Sequence, residues 1–118
     1  MERGTIPINK EFELEYRYFE KDTNFKYYNR KFEIYLLDKK GFRKNYILHM
    51  DNCETKEGKW SPHIHKTPKV ENKLYFGVST LNWGDVKNNF ADCIISELGE
   101  KHTTSVKKAI GKLTSPKL

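Results

Sequence analysis

The sequence lacks the features that mark several common classes of protein. It has two cysteines, too few for the disulfide framework of a small secreted domain. No apolar run approaches the roughly 18 residues that a membrane span needs, and residues 1–10 contain no apolar signal-peptide segment. A glycine-rich phosphate loop, a nucleophile elbow and a dinucleotide-binding fingerprint are all missing. We therefore expect a cytoplasmic protein, with no membrane partner and without these familiar sites.

The charge balance, in contrast, is strongly basic. Lys and Arg together number 22 against 16 Asp and Glu, which gives a formal net charge of +6. Such an excess favours a polyanionic partner, either nucleic acid or an acidic protein, although it also serves simple solubility. Lysine dominates over arginine, which argues against base-specific recognition because arginine makes the bidentate contacts to guanine.

Hydrophobic periodicity predicts one α+β domain covering residues 1–118. Strands are predicted at residues 11–20, 27–37, 42–50 and 73–80, with a short extended piece at 63–65. Residues 82–98 place apolar side chains at helical spacing, with Asn82 as the N-cap and Gly99 just past the end. We expect a curved antiparallel sheet of four to five strands, with one amphipathic C-terminal helix packed on one face.

Other parts of this fold follow from composition. Residues 1–10 should be a loose lead-in, and residues 101–118, with five lysines and no acidic residue, a basic C-terminal tail or short helix. The Glu11, Glu13 and Glu15 side of the first strand should be a solvated face. The predicted core consists of Trp83, Phe90, Ile94, Phe32, Ile34, Leu48 and Phe76.

A hairpin is predicted around residues 38–42. A three-residue loop at 39–41 would place Asp38 opposite Phe42. The apolar residues Phe32, Ile34 and Leu36 would then share a face with Phe42, Tyr46, Leu48 and Met50. His49 would fall on the opposite face beside Tyr35 and Leu37, and that mixed face suits a site.

Residues 46–66 gather most of the side chains that can carry chemistry, namely His49, Asp51, Cys53, His63 and His65. His63 and His65 stand two apart on an extended piece, so their side chains should project side by side. One imidazole could take a proton while the other gives one, as RNA cleavage by its own 2′-hydroxyl requires. We predict that His63 and His65 are catalytic and that His49 and Asp51 orient them. The alternative is that His63 and His65 are exposed histidines with no functional role.

Nearby residues suggest further contacts to nucleic acid. Lys59, Lys66 and Lys69 are expected to hold phosphate, and Trp60 to stack on a base, although Trp60 could instead pack on the sheet. No cofactor is required, but a divalent metal is possible, with Asp51, Cys53, His63 and His65 as its ligands. Cys53 as a nucleophile would lack an oxyanion turn. Cys93 falls on the apolar stripe of the helix and should be core.

The order of these parts over about residues 32–98 resembles the TumE-type toxins of prokaryotic toxin–antitoxin modules. An Asp-Asn step (Asp51-Asn52) is followed by His63 and His65, then by a short apolar strand and a closing helix that carries Phe90 and Asp92. The resemblance implies a β-rich toxin with a helix that acts on RNA and is neutralised by an antitoxin. It also implies that Asp51, His63 and His65 are the functional residues.

Two other functions stay open. A small basic domain could be a phage- or plasmid-encoded inhibitor that blocks a host defence complex through a host protein partner. It could also be a plain nucleic-acid-binding module, whose affinity would fall steeply with salt and which would show no turnover. Replacement of His63 and His65 separates these functions from a ribonuclease.

Overall fold

The computed structural model describes residues 2–19, 32–40, 45–51, 63–66, 73–75 and 83–115. Its strands are β1 (Glu2–Pro7), β2 (Phe12–Tyr18), β3 (Phe32–Asp38), β4 (Asn45–Asp51), β5 (His63–Lys66) and β6 (Lys73–Tyr75). Its helices are α1 (Trp83–Leu98), a short 3-10 helix (Glu100–His102) and α2 (Thr103–Gly111). The α+β class and the antiparallel sheet are confirmed. Within the described ranges there are six strands, against the predicted four to five, and two α-helices, of which α2 falls in the segment predicted as a basic tail or short helix.

The six strands form one open sheet in chain order, β1-β2-β3-β4-β5-β6, and all five neighbouring pairs are antiparallel. The loose lead-in predicted for residues 1–10 is wrong for Glu2–Pro7, which pairs with β2 along its whole length. Gly4 and Pro7 suggested a loop, but both are tolerated in an edge strand. Gly4 also makes room for Tyr16, since a Cβ there would lie 2.6 Å from the Tyr16 hydroxyl oxygen.

One face of the sheet forms the hydrophobic core together with both helices. Alternate strand residues supply the sheet side of this core, including Leu14, Phe32, Ile34, Leu36, Leu48, Met50 and Ile64. The helices supply Val86, Phe90, Ala91, Ile94, Val106, Ala109 and Ile110. Of the predicted core residues, Phe90, Ile94, Phe32, Ile34 and Leu48 are buried, and Trp83 is half-buried with its ring edge-on to Phe32 at 5.2 Å. Phe76 lies outside the described residues.

The first helix ends where the sequence predicts. Gly99 has a φ of 106°, a left-handed conformation that glycine adopts without steric cost. Its backbone N–H donates a 2.8 Å hydrogen bond to the carbonyl of Ile95. The predicted N-cap, Asn82, lies outside the described residues. No helix in the described ranges is both long and apolar enough to cross a membrane.

The basic segment expected as a tail or short helix carries α2, which is part of the core. Val106, Ala109, Ile110 and Leu113 are buried at spacings of three, one and three residues, which is one face of a helix. His102 anchors the start of this segment, because its Nδ1 lies 3.0 Å from Asn9 Nδ2 and its ring contacts Phe12 edge-on. The C-terminal segment therefore contacts the turn before β2 and both ends of β2.

The register between β3 and β4 differs from the predicted hairpin. Asp38 pairs with Asn45, so the three-residue loop that placed it opposite Phe42 is wrong. Ile34 is opposite Met50 and Leu36 is opposite Leu48, which differs from the predicted pairing by an even number of residues. A register error of an even number leaves each side chain on its predicted face, so the apolar residues still share one face. The register also shifts between Leu36 and Leu37. Tyr46, predicted on the core face, is therefore opposite Leu37 on the other face.

Tyr18 links β2 to the chain after α2, and its removal should change the response of the protein to alkaline pH. Its hydroxyl donates a 2.7 Å hydrogen bond to the carbonyl of Thr114, and burial raises the pKa of Tyr18 above its ordinary value. A raised folded-state pKa gives stability that is fully present below the unfolded value near 10 and is lost as pH rises toward the folded value.

We expect Tyr18→Phe to lower the free energy of unfolding by about 0.5–1.5 kcal/mol at pH 7. Above pH 10 the difference between variant and wild type should shrink, because the variant has no phenol to ionise at this position. Urea unfolding of both proteins at pH 7 and pH 10.5 measures this. If the difference in free energy of unfolding between variant and wild type stays constant or grows with pH, ionisation of the Tyr18 phenol does not contribute to the loss of stability at alkaline pH.

Candidate functional site

On the face of the sheet opposite the helices, six polar or aromatic side chains from three neighbouring strands lie together. This polar cluster consists of Glu15 and Arg17 on β2, Glu33 and Tyr35 on β3, and His49 and Asp51 on β4. Glu33 is 4% exposed and Asp51 is 2% exposed. Buried carboxylates are costly unless they are paired, so the contacts within this cluster determine what it can do.

His49 and Asp51 form the centre of the polar cluster. They stand two apart on β4, and His49 Nε2 lies 3.2 Å from Asp51 Oδ2. The 3.2 Å separation is that of an ion pair. The pair is therefore best understood as an electrostatic contact, which is strongest when the imidazole is protonated.

Tyr35 fixes the plane of the His49 ring. The two rings are stacked with centroids 4.3 Å apart and planes 7° apart. The Tyr35 hydroxyl donates a 3.3 Å hydrogen bond to Glu33 Oε2, which restrains the ring from its other end. Tyr46 meets Tyr35 edge-on at 5.1 Å. We call Tyr46, Tyr35 and His49 the aromatic row.

The carboxylates of β2 and β3 are balanced by Arg17. Its guanidinium lies 3.9 Å from Glu33 and 3.7 Å from Glu15. The solvated face predicted for Glu11, Glu13 and Glu15 is wrong for Glu15, which is half-buried in this contact. Arg17, Glu33 and Tyr35 thus form a connected support that leads to His49.

The backbone register puts the two predicted catalytic histidines, His63 and His65, on the strand next to His49 and Asp51. Strand β5 pairs with β4 so that His65 is opposite His49 and His63 is opposite Asp51. Directly opposite residues share a face of the sheet, with Cα atoms about 4.5–5.5 Å apart. The four residues predicted as catalytic therefore form two neighbouring pairs in the backbone register of β4 and β5. Strand β6 continues this face with Lys73 opposite His65 and Tyr75 opposite His63.

Of the residues predicted to contact nucleic acid, the structure describes only Lys66, and it lies on the other side of the sheet. Lys66 pairs with Leu48, which places it on the helix side of the sheet, and its ammonium lies 3.1 Å from Glu97 Oε2 of α1. Lys66 therefore stands apart from the polar cluster. Lys59, Trp60 and Lys69 lie outside the described residues.

The possible metal ligands and nucleophiles can be placed only in part. Cys53, offered both as a ligand and as a nucleophile, lies outside the described residues. Within the residues that the structure describes, no group of three His, Cys, Asp or Glu side chains is placed to hold a metal ion. Cys93 is half-buried against the core. Burial, followed by the charge of Asp92, raises the pKa of its thiol, which keeps it protonated and unreactive.

Sequence reasoning missed the support formed by Arg17, Glu33 and Tyr35. Glu33 did carry a signal, because it interrupts the apolar run of β3 (FEIYLLD). A charge in a strand that is buried on both sides indicates a partner across the sheet. The described contact places one imidazole, that of His49, beside the buried carboxylate of Asp51, an arrangement that can take part in proton transfer. Comparison with protein-family models, with curated proteins and with solved structures finds no match for this chain.

Proposed function

We propose that this protein is a small toxin-like ribonuclease that cleaves RNA by acid–base catalysis on the histidine-bearing face of its sheet. The observation that carries the proposal is the pairing of His49 with His65 and of Asp51 with His63 across β4 and β5. Histidines at neighbouring positions in this register can supply the one base and the one acid that transesterification at a phosphodiester requires.

The reaction is a transesterification at phosphorus. One of His63 and His65 takes the proton of the RNA 2′-hydroxyl, and the 2′-oxygen forms a bond to the adjacent phosphorus. The bond from phosphorus to the 5′-oxygen breaks, and the other histidine gives its proton to that leaving oxygen. The products are a 2′,3′-cyclic phosphate and a 5′-hydroxyl. No external water or oxidant is consumed in this step.

His49 and Asp51 act as positioning residues in this scheme. The buried Asp51 carboxylate stabilises positive charge on a neighbouring imidazole, since opposite charges a few ångströms apart attract strongly where water is excluded. Tyr35 keeps His49 in one orientation by stacking, so little reorganisation is needed when substrate binds.

The charge of the whole chain agrees with an RNA substrate. A net charge of +6 concentrates a polyanion near the protein even though the described part of the polar cluster contains three carboxylates. Those carboxylates are compensated locally by Arg17, His49 and the Tyr35 hydroxyl. The resemblance to TumE-type toxins adds an antitoxin as the expected protein partner.

The decisive experiment is the fate of the 2′-hydroxyl. We expect the purified protein to cleave a 20-nucleotide RNA and to leave 2′,3′-cyclic phosphate ends, identified by mass spectrometry. The same oligonucleotide with 2′-O-methyl groups throughout should remain intact, because it offers no nucleophile. EDTA should not change the rate.

Three results would count against the proposal. Cleavage of the 2′-O-methyl strand, or loss of cleavage in EDTA, would indicate a metal-activated water in place of the histidine mechanism. Binding that weakens steeply with salt and is never followed by cleavage would indicate a nucleic-acid-binding module.

A further inference from the structure

Tyr46 is unusual among the large apolar side chains of this fold. Among the residues whose side-chain burial is described, it is the one large hydrophobic residue that is exposed, at 40% of its surface. A single exposed tyrosine needs no special explanation by itself. Its position beside the candidate site, however, results from two separate features of the structure.

The first feature is the irregularity between β3 and β4. Regular alternation would place Tyr46 on the same face as Leu48 and Met50, which are both buried in the core. The register shift between Leu36 and Leu37 instead puts Tyr46 opposite Leu37. Bulges of this kind occur next to active sites, where they redirect a side chain. Here the shift moves an aromatic ring from the core to the site face.

The second feature is the aromatic row, which holds the ring in place. Tyr46 meets Tyr35 at 5.1 Å with the planes 64° apart, and Tyr35 is stacked on His49 at 4.3 Å. A ring held by a neighbouring ring loses little freedom when a ligand stacks on it. The row leads from the exposed ring of Tyr46 to His49, which pairs with the position of His65.

We infer that Tyr46 is the base-binding residue of this site and that the substrate is unpaired, single-stranded RNA. This inference rests on the proposed function and specifies its substrate. Aromatic side chains on a sheet surface bind single-stranded nucleic acid by stacking on its bases. Bases in a duplex are already stacked on each other, so a paired strand cannot use Tyr46. The stacked base places its own ribose and phosphate on the histidine-bearing face.

The test measures binding without cleavage. An eight-nucleotide 2′-O-methyl RNA with a fluorescent label, which cannot be cleaved by the proposed reaction, is titrated with wild type, Tyr46→Ala and Tyr46→Trp. Loss of one stacked base typically corresponds to about 1–3 kcal/mol, so we expect Tyr46→Ala to weaken binding about 5–150-fold. Tyr46→Trp should bind about as tightly as wild type. A duplex of the same sequence should bind weakly and should not respond to Tyr46→Ala.

The outcomes separate this inference from the proposed function. Tyr46-dependent binding of the single strand, with no cleavage of ordinary RNA, would support the stacking role and reject the ribonuclease. Cleavage of RNA together with unchanged binding by Tyr46→Ala would retain the ribonuclease and overturn the role of Tyr46. Equal affinity for single strand and duplex would also overturn it. Urea unfolding of each variant shows whether a loss of binding reflects a loss of fold. If Tyr46→Ala unfolds, Tyr46→Leu, which keeps apolar bulk but has no aromatic ring, decides the question: unchanged binding by a folded Tyr46→Leu would overturn the stacking role.

Discussion

The double variant His63→Ala/His65→Ala is expected to lower kcat/KM for RNA cleavage by about 10³–10⁴-fold. A positioned general acid or base typically contributes 10²–10⁴-fold to a rate. The two effects should not multiply in full, because both histidines act in one transition state and residues that act as a unit are not additive. Each single variant should therefore approach the loss of the double variant. Single-turnover cleavage of a labelled RNA measures all three.

His102 offers a matched control. It is the fourth histidine of the chain, and it lies on the helix side of the sheet, where its ring contacts Phe12. His102→Ala should keep wild-type kcat/KM in protein that remains folded. If the double variant is folded and still cleaves within tenfold of wild type, the acid–base mechanism is wrong. An inhibitor that works by covering the surface of a host complex would keep most of its effect in the double variant.

Phe90→Ala should lower the free energy of unfolding by about 3–5 kcal/mol. Phe90 is fully buried on α1 and belongs to the same cluster as Phe32 and Ile34 of the sheet. The variant loses the transfer free energy of the ring and leaves a cavity that close-packed neighbours fill only in part. Domains of this size have about 5–15 kcal/mol of total stability, so the change is large. Urea unfolding at 25 °C measures it.

Ser96 supplies the comparison for this second variant. It lies on the exposed side of α1, and Ser96→Ala should change the free energy of unfolding by less than about 0.5 kcal/mol. Phe90→Leu, which retains most of the buried volume, should fall between the two. A loss below about 1 kcal/mol for Phe90→Ala would mean that this stripe of α1 is not the one that packs on the sheet.

The assignment of residues to the two faces of the sheet could be predicted from the sequence, because side chains alternate along a strand. Phe32, Ile34, Leu48 and Met50 do share the buried face. His49 does lie on the other face beside Tyr35. An error in register does not disturb this result when it is an even number of residues. The predicted curvature of the sheet stays a prediction.

Features that depend on backbone pairing could not be predicted in this way. Glu2–Pro7 has a single buried side chain, Ile6, so its apolar pattern is too weak to identify a strand, and it is held instead by pairing with β2. No particular residue type marks the register shift after Leu36, so the sequence did not reveal it and Tyr46 was predicted on the wrong face. Both errors arise because main-chain hydrogen bonding between strands leaves little trace in residue type.

The candidate site was predictable in part. The sequence placed His49, Asp51, His63 and His65 in one site; His49 and Asp51 are in contact, and His65 and His63 pair with them in the backbone register, while their catalytic role stays a prediction. Lys66 could have been excluded by alternation alone, since it is one residue out of phase with His65. Arg17 and Glu33 could not be included, because nothing local to either residue says that their strands are neighbours.

The order of elements along the chain has a consequence for synthesis. Every strand pairs with its neighbour in sequence, so the sheet can form hairpin by hairpin as the chain leaves the ribosome. The helices come last, and two contacts between the C-terminal segment and the first part of the chain, Tyr18 with Thr114 and Asn9 with His102, span 96 and 93 residues. The nascent sheet therefore presents Phe12, which His102 contacts in the folded protein, to its surroundings until the C-terminal segment emerges. We expect chaperones to engage the unfinished protein on that surface.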